Sequence, residues 1–418
     1  MGLTIAEKIL ARAAGRERVK AGDDIRARPD FIIAYDFPGY TDVIFRQMKE
    51  DFGIDKVVAP ERFAMFIDHM VPAINPKEEE LHQITRDWGT EQGVPVYERL
   101  GIGHQVAAEL GYATPGSFAV HFDGHISQLG TFGTLAIGLR RHLLEAFVNE
   151  HILIKVPQTT RVELTGKPRP GVMARDIFHH IVREIGSSAC RFQVLEIAGE
   201  ALDHISLEGR QSITCLAMFT GAITAIINPD SRSLEYALPR ARLKLDPLSS
   251  DSDANYAAVH TIDLTDLEPV VVIPPSPANT RNLSEFTGTE VQVGYLGSCA
   301  SGRLEDLRIA AQVLKGRQIK PGFQLNIVPT SQEIMRQAAE EGIITDLVAA
   351  GAFVTSSSCD YCFGRIGAMA AGQRAVSTGT LNVRGRMGSR DSEIFIVNAA
   401  AVAAAALDGC ITDPRKYL

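Results

Sequence analysis

Three cysteines stand in turns where thiolates could gather. Cys359 and Cys362 form a Cys-x-x-Cys, and Cys299 lies in Gly297-Ser298-Cys299-Ala300-Ser301-Gly302-Arg303. A Cys-x-x-Cys alone fits a redox dithiol or part of a zinc site. No thioredoxin-like aromatic flank accompanies it. Three thiolates suit an iron–sulfur cluster better than a closed four-ligand zinc site. If each holds one iron of a four-iron cube, one iron keeps free positions and can act as a Lewis acid on a hydroxyl or carboxylate. Arg384 and Arg386 follow in Arg384-Gly385-Arg386. Arg384 could hold a carboxylate bidentately, or pair with nearby Asp391 or Glu393. Cys190, Cys215 and Cys410 stand alone and are expected to be small buried residues. His179 and His180 are adjacent on an expected helix, so they do not share a face and do not read as a metal site.

These residues need elements to position them. Phe31 to Tyr35, Phe63 to Ile67 and Ser117 to Val120 are apolar runs of strand length. The second ends at Asp68-His69 and the third near Asp123 and His125. In α/β sheets the C-terminal strand edge is where ligands bind. Helical patterns lie between, at 4–14, 77–92 and 134–149, and the alternation predicts α/β layers. A second block starts near 161–166 and shows a helix at 174–185, a strand at 192–197 and a helix from Ser212 toward Ile226. Pro274-Pro275-Ser276-Pro277 reads as a linker. The last block has a strand at 291–296, helices at 304–315 and 331–341, and an alanine-rich helix after Asn398. The expected division is 1–160, 161–283 and 284–418, with the last unit carrying the thiols: three α/β/α domains around a central cleft.

Composition sets limits. The chain has 418 residues, 22% charged and 45% hydrophobic, which is ordinary for a folded protein and excludes disorder over most of its length. A net charge of −8 gives no basic field for a phosphate backbone. No apolar stretch approaches the ~18–20 residues of a membrane helix. The N-terminus lacks the apolar block of a secretory signal. A cytoplasmic protein with no membrane or nucleic-acid partner is expected.

Several motifs together resemble the aconitase superfamily, most of all the large subunit of 3-isopropylmalate dehydratase. Thr4 to Arg12 is similar to that subunit's N-terminal helix. Asp68-His69-Met70-Val71-Pro72 resembles its Asp-His-x-x-Pro turn, and Gly101-Ile102-Gly103-His104-Gln105 its Gly-Ile-x-His-Gln turn. Asp123-Gly124-His125 takes the place of Asp-Ser-His. Gly297-Ser298-Cys299 and Cys359-Asp360-Tyr361-Cys362 sit where its cluster cysteines sit, and Gly385-Arg386 where a substrate-binding arginine does. The resemblance implies a 4Fe-4S cluster on Cys299, Cys359 and Cys362. It implies a hydro-lyase acting on a small 2-hydroxy acid, with histidine–aspartate pairs supplying and holding protons. By it, His104 and His125 handle protons, Asp68 holds His69, and Asp123 lies by His125. Arg384 and Arg386 would face substrate. It also implies an obligate small subunit carrying a swivelling domain, a serine base and further arginines.

The departures fall in the substrate shell. Gly124 replaces the motif's serine. Cys215 and Phe219 replace an asparagine and a glutamate, and Leu381 replaces an arginine. The cysteines stay while the shell changes. That implies a paralogue with a smaller or less charged substrate, such as maleate, citraconate or a methyl-substituted malate, or else loss of activity on a retained fold. A non-catalytic RNA-binding protein and a zinc-stabilised structural subunit are the rivals from other classes.

Overall fold

The computed structural model describes residues 2–36 and 41–418. Alternating strands and helices build three mainly parallel sheets, of five, four and seven strands, beside a two-stranded ribbon. Parallel strands are buried on both faces and so read as unbroken apolar runs. Phe63–Ile67 is such a strand, with every residue buried.

The five-stranded sheet runs Val96–Glu98, Phe63–Ile67, Phe31–Tyr35, Phe118–His121, Leu135–Gly138, all parallel. The chain winds outward to one side from Phe31–Tyr35 and to the other from Phe118–His121. The strand order therefore reverses between these two, and a crevice opens beyond their C-terminal ends. The four-stranded sheet runs Thr224–Ile227, Val194–Ala198, Thr159–Thr165, Ala258–Asp263, again all parallel.

The seven-stranded sheet repeats the first pattern. Its parallel part runs Glu393–Ile396, Arg374–Ser377, Val293–Leu296, Gln324–Ile327, Phe353–Val354. The order reverses between Val293–Leu296 and Arg374–Ser377, so a second crevice opens there. An antiparallel hairpin, Val270–Val272 with Thr280–Asn282, extends this sheet. The proline run expected as a linker is the turn of that hairpin.

Two helical expectations differ from the structure. The stretch 134–149 holds a strand, Leu135–Gly138, a short 3-10 turn and the helix Leu143–Val148. The stretch from Ser212 holds the end of the helix Leu207–Cys215, a 3-10 turn and the strand Thr224–Ile227. That helix starts five residues earlier because Ser206 Oγ caps it, accepting from Gly209 N at 2.9 Å.

The segment Gly124–Phe132 crosses from the first sheet onto the second. A Cβ at Gly130 would lie 1.9 Å from the Ala225 carbonyl oxygen, so only glycine lets this segment touch the strand below.

Candidate active site

The first crevice gathers aromatic and ionisable side chains at strand ends. Tyr35 ends one central strand and His121 the other, and their ring centroids lie 5.0 Å apart. Tyr35 OH donates to Asp123 Oδ2 at 3.1 Å. Asp123 Oδ1 accepts from His125 N at 2.7 Å and faces His125 Nδ1 at 2.8 Å. Asp123 N donates to His121 Nδ1 at 2.7 Å, which puts the His121 proton on Nε2. Asp68 follows the neighbouring strand. Its Oδ1 lies 2.6 Å from His69 Nδ1, and its Oδ2 accepts from Gly103 N at 2.7 Å, at the start of the helix carrying His104. His104 sits amid these groups, 4.8 Å from His121 and 6.4 Å from His125 by ring centroid. It is 5% exposed, and neither ring nitrogen has a partner among the described residues.

The second crevice holds the thiols. Cys299 follows the strand Val293–Leu296 in a turn where Ser298 adopts φ 89°. A side chain at Gly297 would meet Val328 at 2.8 Å and the Tyr295 hydroxyl at 2.9 Å. Cys359 opens the 3-10 turn that carries Cys362, whose N–H donates to the Cys359 carbonyl at 3.0 Å. Arg386 Nη2 donates to Cys362 Sγ at 3.3 Å, while its Nε is buried without a partner among the described residues. The Tyr295 hydroxyl is likewise buried without a partner among the described residues, and burial together with the nearby thiols pushes it up.

Backbone contacts press the two crevices together. Cys359 N donates to the Asp68 carbonyl at 3.1 Å. The Asp360 carboxylate accepts from Met70 N at 2.8 Å and Val71 N at 3.0 Å. Buried Arg303 joins four segments. It donates to Gln105 Oε1 at 3.0 Å, Ser212 Oγ at 3.2 Å and the Cys299 carbonyl at 2.7 Å, and also to Gln128 Oε1. Arg175 is spent on carbonyls, donating to those of Thr378 at 2.6 Å and Gly379 at 3.1 Å.

Electrostatics separates the histidines. Burial opposes charge on His69, but the adjacent Asp68 outweighs it and pushes the imidazole up to about 9. Burial likewise opposes charge on His125, and the Cys299 sulfur and Asp123 push it up to about 9. His104 has no such partner, and burial pulls it down to about 4. Near neutral pH the crevice thus holds two imidazolium–carboxylate pairs around the neutral imidazoles of His104 and His121, the latter also kept uncharged by burial. Among the thiols, contact with Cys359 holds Cys362 well below the usual thiol range despite burial, and Arg386 adds to that.

A thiolate-held iron–sulfur cluster fits this donor set. The thiols are free, they come from two turns of one sheet edge, and a guanidinium and an orphaned phenol face the negative charge they would carry. Asp68, His69, His104, Asp123, His125, Cys299, Cys359, Cys362 and Arg386 are thus brought together across the seam. Arg384 is not. It lies exposed in a separate cleft with Arg374, Arg390 and Asp391. Tyr35, His121 and Arg303 belong to the site but were not singled out from sequence. Their signal was position alone, at the ends of central strands or just after the Cys299 turn. Phe219 packs in the same apolar cluster as Cys215 and Cys299.

Two mainly parallel α/β sheets set paired histidines opposite a group of thiols, a donor set that fits a metal cluster. The family model of the aconitase family (aconitate hydratase) matches residues 43–290 and 279–409, and the chain belongs to that family. It is 37% identical over 422 aligned positions to 3-isopropylmalate dehydratase large subunit 1 of Methanopyrus kandleri, covering 100% of both chains. To the 3-isopropylmalate dehydratase large subunit of Aquifex aeolicus it is 35% identical, over 100% of this chain and 98% of that one. It is also 35% identical to a probable methanogen homoaconitase large subunit of Methanothermobacter thermautotrophicus, over 99% of this chain and 98% of that one. No helix among the described residues is long and apolar enough to cross a membrane.

Proposed function

We propose that this chain is the cluster-bearing large subunit of a hydro-lyase that adds or removes water across a small 2-hydroxy dicarboxylic acid. The observation that carries the reading is the neutral His104, without a ring partner among the described residues, between two imidazolium–carboxylate pairs and across one seam from three thiols. Cys299, Cys359 and Cys362 would hold a 4Fe-4S cluster. When bound, that cluster supplies a Lewis-acidic iron for the substrate's hydroxyl and carboxylate.

The chain's own groups do the rest. His104 can accept a proton, because burial keeps it neutral. His125 and His69 can donate one, each held charged and oriented by its aspartate. Arg386 offers an Nε that is unpaired among the described residues to a carboxylate beside the thiols. The relatives named as large subunits support a small-subunit partner that completes the site. Their names make 3-isopropylmalate the default substrate. Phe219 and Leu381 favour a second reading, in which a malate with a small substituent, or maleate or citraconate in the hydration direction, fits better.

The test is anaerobic reconstitution with iron, sulfide and a small subunit. Malate, 2-methylmalate, 3-isopropylmalate and isocitrate are then compared by ultraviolet absorbance of the unsaturated product. Turnover of a 2-hydroxy dicarboxylate is expected. A cluster-loaded heterodimer inert toward every 2-hydroxy acid would end the hydro-lyase reading.

A further inference from the structure

The helix Pro76–Gln92 packs against the strands Phe63–Ile67 and Val96–Glu98, yet its inward face is polar where it passes the site. Glu78 and His82 stand four residues apart, so they share a face, and both are buried. His82 Nε2 lies 3.0 Å from the His69 carbonyl oxygen. A carbonyl only accepts, so His82 carries a proton on Nε2 and donates it there. The same nitrogen lies 3.3 Å from Asp36 Oδ2. Asp36 follows the strand Phe31–Tyr35 and is buried as well, and its Oδ1 accepts from Asp68 N at 3.3 Å.

A second histidine–carboxylate pair thus stands behind the first. Asp68 orients the His69 ring from the side, while Asp36 and His82 take the backbone, one at Asp68 N and the other at the His69 carbonyl. The next residue, Met70, adopts φ 59°, a left-handed conformation that a residue with a Cβ keeps only where its surroundings impose it. Glu78 carries the hold across to the thiol turn. Arg365 Nε donates to Glu78 Oε1 at 3.3 Å, its Nη2 donates to Glu78 Oε2, and its Nη1 lies 3.2 Å from Asp360 Oδ2. Asp360 in turn receives Met70 N and Val71 N. One helix face therefore grips the His69 turn directly, and again through Asp360. An apolar side chain at position 82 would fill the space and leave the His69 carbonyl without that donor.

We infer that His82 and Asp36 are positioning residues for His69, fixing where its imidazole stands relative to Asp68 and the thiol turn. They act through the backbone of the turn from which the ring hangs. With either contact removed, the turn is held from one side only, and the strained backbone at Met70 can relax and carry the ring off its carboxylate. The positioning follows from the contacts alone, and its effect on turnover rests on the hydro-lyase reading above.

The experiment compares the full chain as wild type, His82→Met, His82→Gln and Asp36→Leu. Met and Gln fill similar volumes, but only Gln keeps an N–H for the His69 carbonyl. The first readout needs no cluster. In the chain with isotopically labelled histidine rings, nuclear magnetic resonance follows the low-field proton between His69 Nδ1 and Asp68 Oδ1, assigned by its loss in His69→Gln. His82→Gln should keep that proton, while His82→Met and Asp36→Leu should lose or broaden it with the circular dichroism spectrum unchanged. The second readout is turnover by the reconstituted heterodimer. In His82→Met and Asp36→Leu, kcat and kcat/KM should fall together by roughly 10- to 100-fold, and His82→Gln should stay within about two-fold of wild type. Should His82→Met not fold, Asp36→Leu against His82→Gln makes the same comparison. A wild-type His69 signal in the donor-free variants would overturn the inference, as would equal loss in His82→Gln and His82→Met. Absence of the signal from the wild type would remove the His69–Asp68 bond on which the inference is built. A signal that moves as stated, in a chain whose cluster-loaded heterodimer is inert toward every 2-hydroxy acid, would end the hydro-lyase reading and leave the positioning standing.

Discussion

At the scale of single residues, the site divides into groups that hold and groups that react. Asp68 holds: one oxygen orients His69 and the other receives Gly103 N, at the head of the His104 helix. Asp68→Asn turns an amide N–H toward one of these donors. The lost charge-assisted bonds are worth about 1.5–3 kcal/mol each. Turnover by the heterodimer is expected to fall roughly 100-fold or more, since acid–base groups contribute on that scale. Unchanged kcat would remove His69 and His104 from the proton path. Cys359→Ser should leave the reconstituted chain without its visible chromophore, while Cys190→Ser keeps it. A full iron complement on the Cys359→Ser chain would refute the ligand set. Leu381→Arg adds the cation that the family motif carries there. The ratio of tricarboxylate to dicarboxylate kcat/KM should rise by roughly 10- to 150-fold, the equivalent of one charge-assisted bond. A static ratio would mean that position 381 does not face substrate.

At the scale of elements, Asp176 joins three of them. Its carboxylate accepts from Met173 N at the head of one helix, Val270 N in the hairpin strand and Asn398 Nδ2 at the cap of the alanine-rich helix. Burial raises its pKa to about 6, against about 3.9 in an unfolded chain. Between these values the folded state binds more proton than the unfolded one. Stability is therefore greatest below pH ~4 for this group and falls as pH rises through 6, by on the order of 3 kcal/mol. Denaturant unfolding at a series of pH values should show Asp176→Asn flattening that slope. Parallel curves for variant and wild type would show that Asp176 does not titrate as stated. The sequence made the apolar strands legible. Phe31–Tyr35 and Phe63–Ile67 were read to the residue, and the turns after them pointed to the site. Leu135–Gly138 was misread, because a short apolar run beside a helix carries no periodicity of its own. Tyr35 and His121 could not be read as site residues, since what makes them so is the reversal of strand order. Cys215 was read as a small buried residue, and it lies fully buried in the apolar cluster that also holds Cys299.

At the scale of the whole molecule, the site is a seam between sheets, and its two imidazolium ions are already paired with aspartates. Arg386 alone reaches the thiols among the arginines of its loop, while Arg384 faces another cleft. A dicarboxylate needs more positive charge than that. The isolated chain should accordingly turn over at least roughly 100-fold more slowly than the same chain with its small subunit, the scale on which positioned groups contribute. Full activity of the chain alone would sink the partner requirement. The knot at Arg303 has a further consequence, in time rather than in space. Its guanidinium touches the His104 helix, the segment after His125, the helix ending at Cys215 and the Cys299 carbonyl. The cradle therefore exists only after the sheets have docked. On the proposed cluster reading, metal would enter a chain that has already folded rather than a nascent coil.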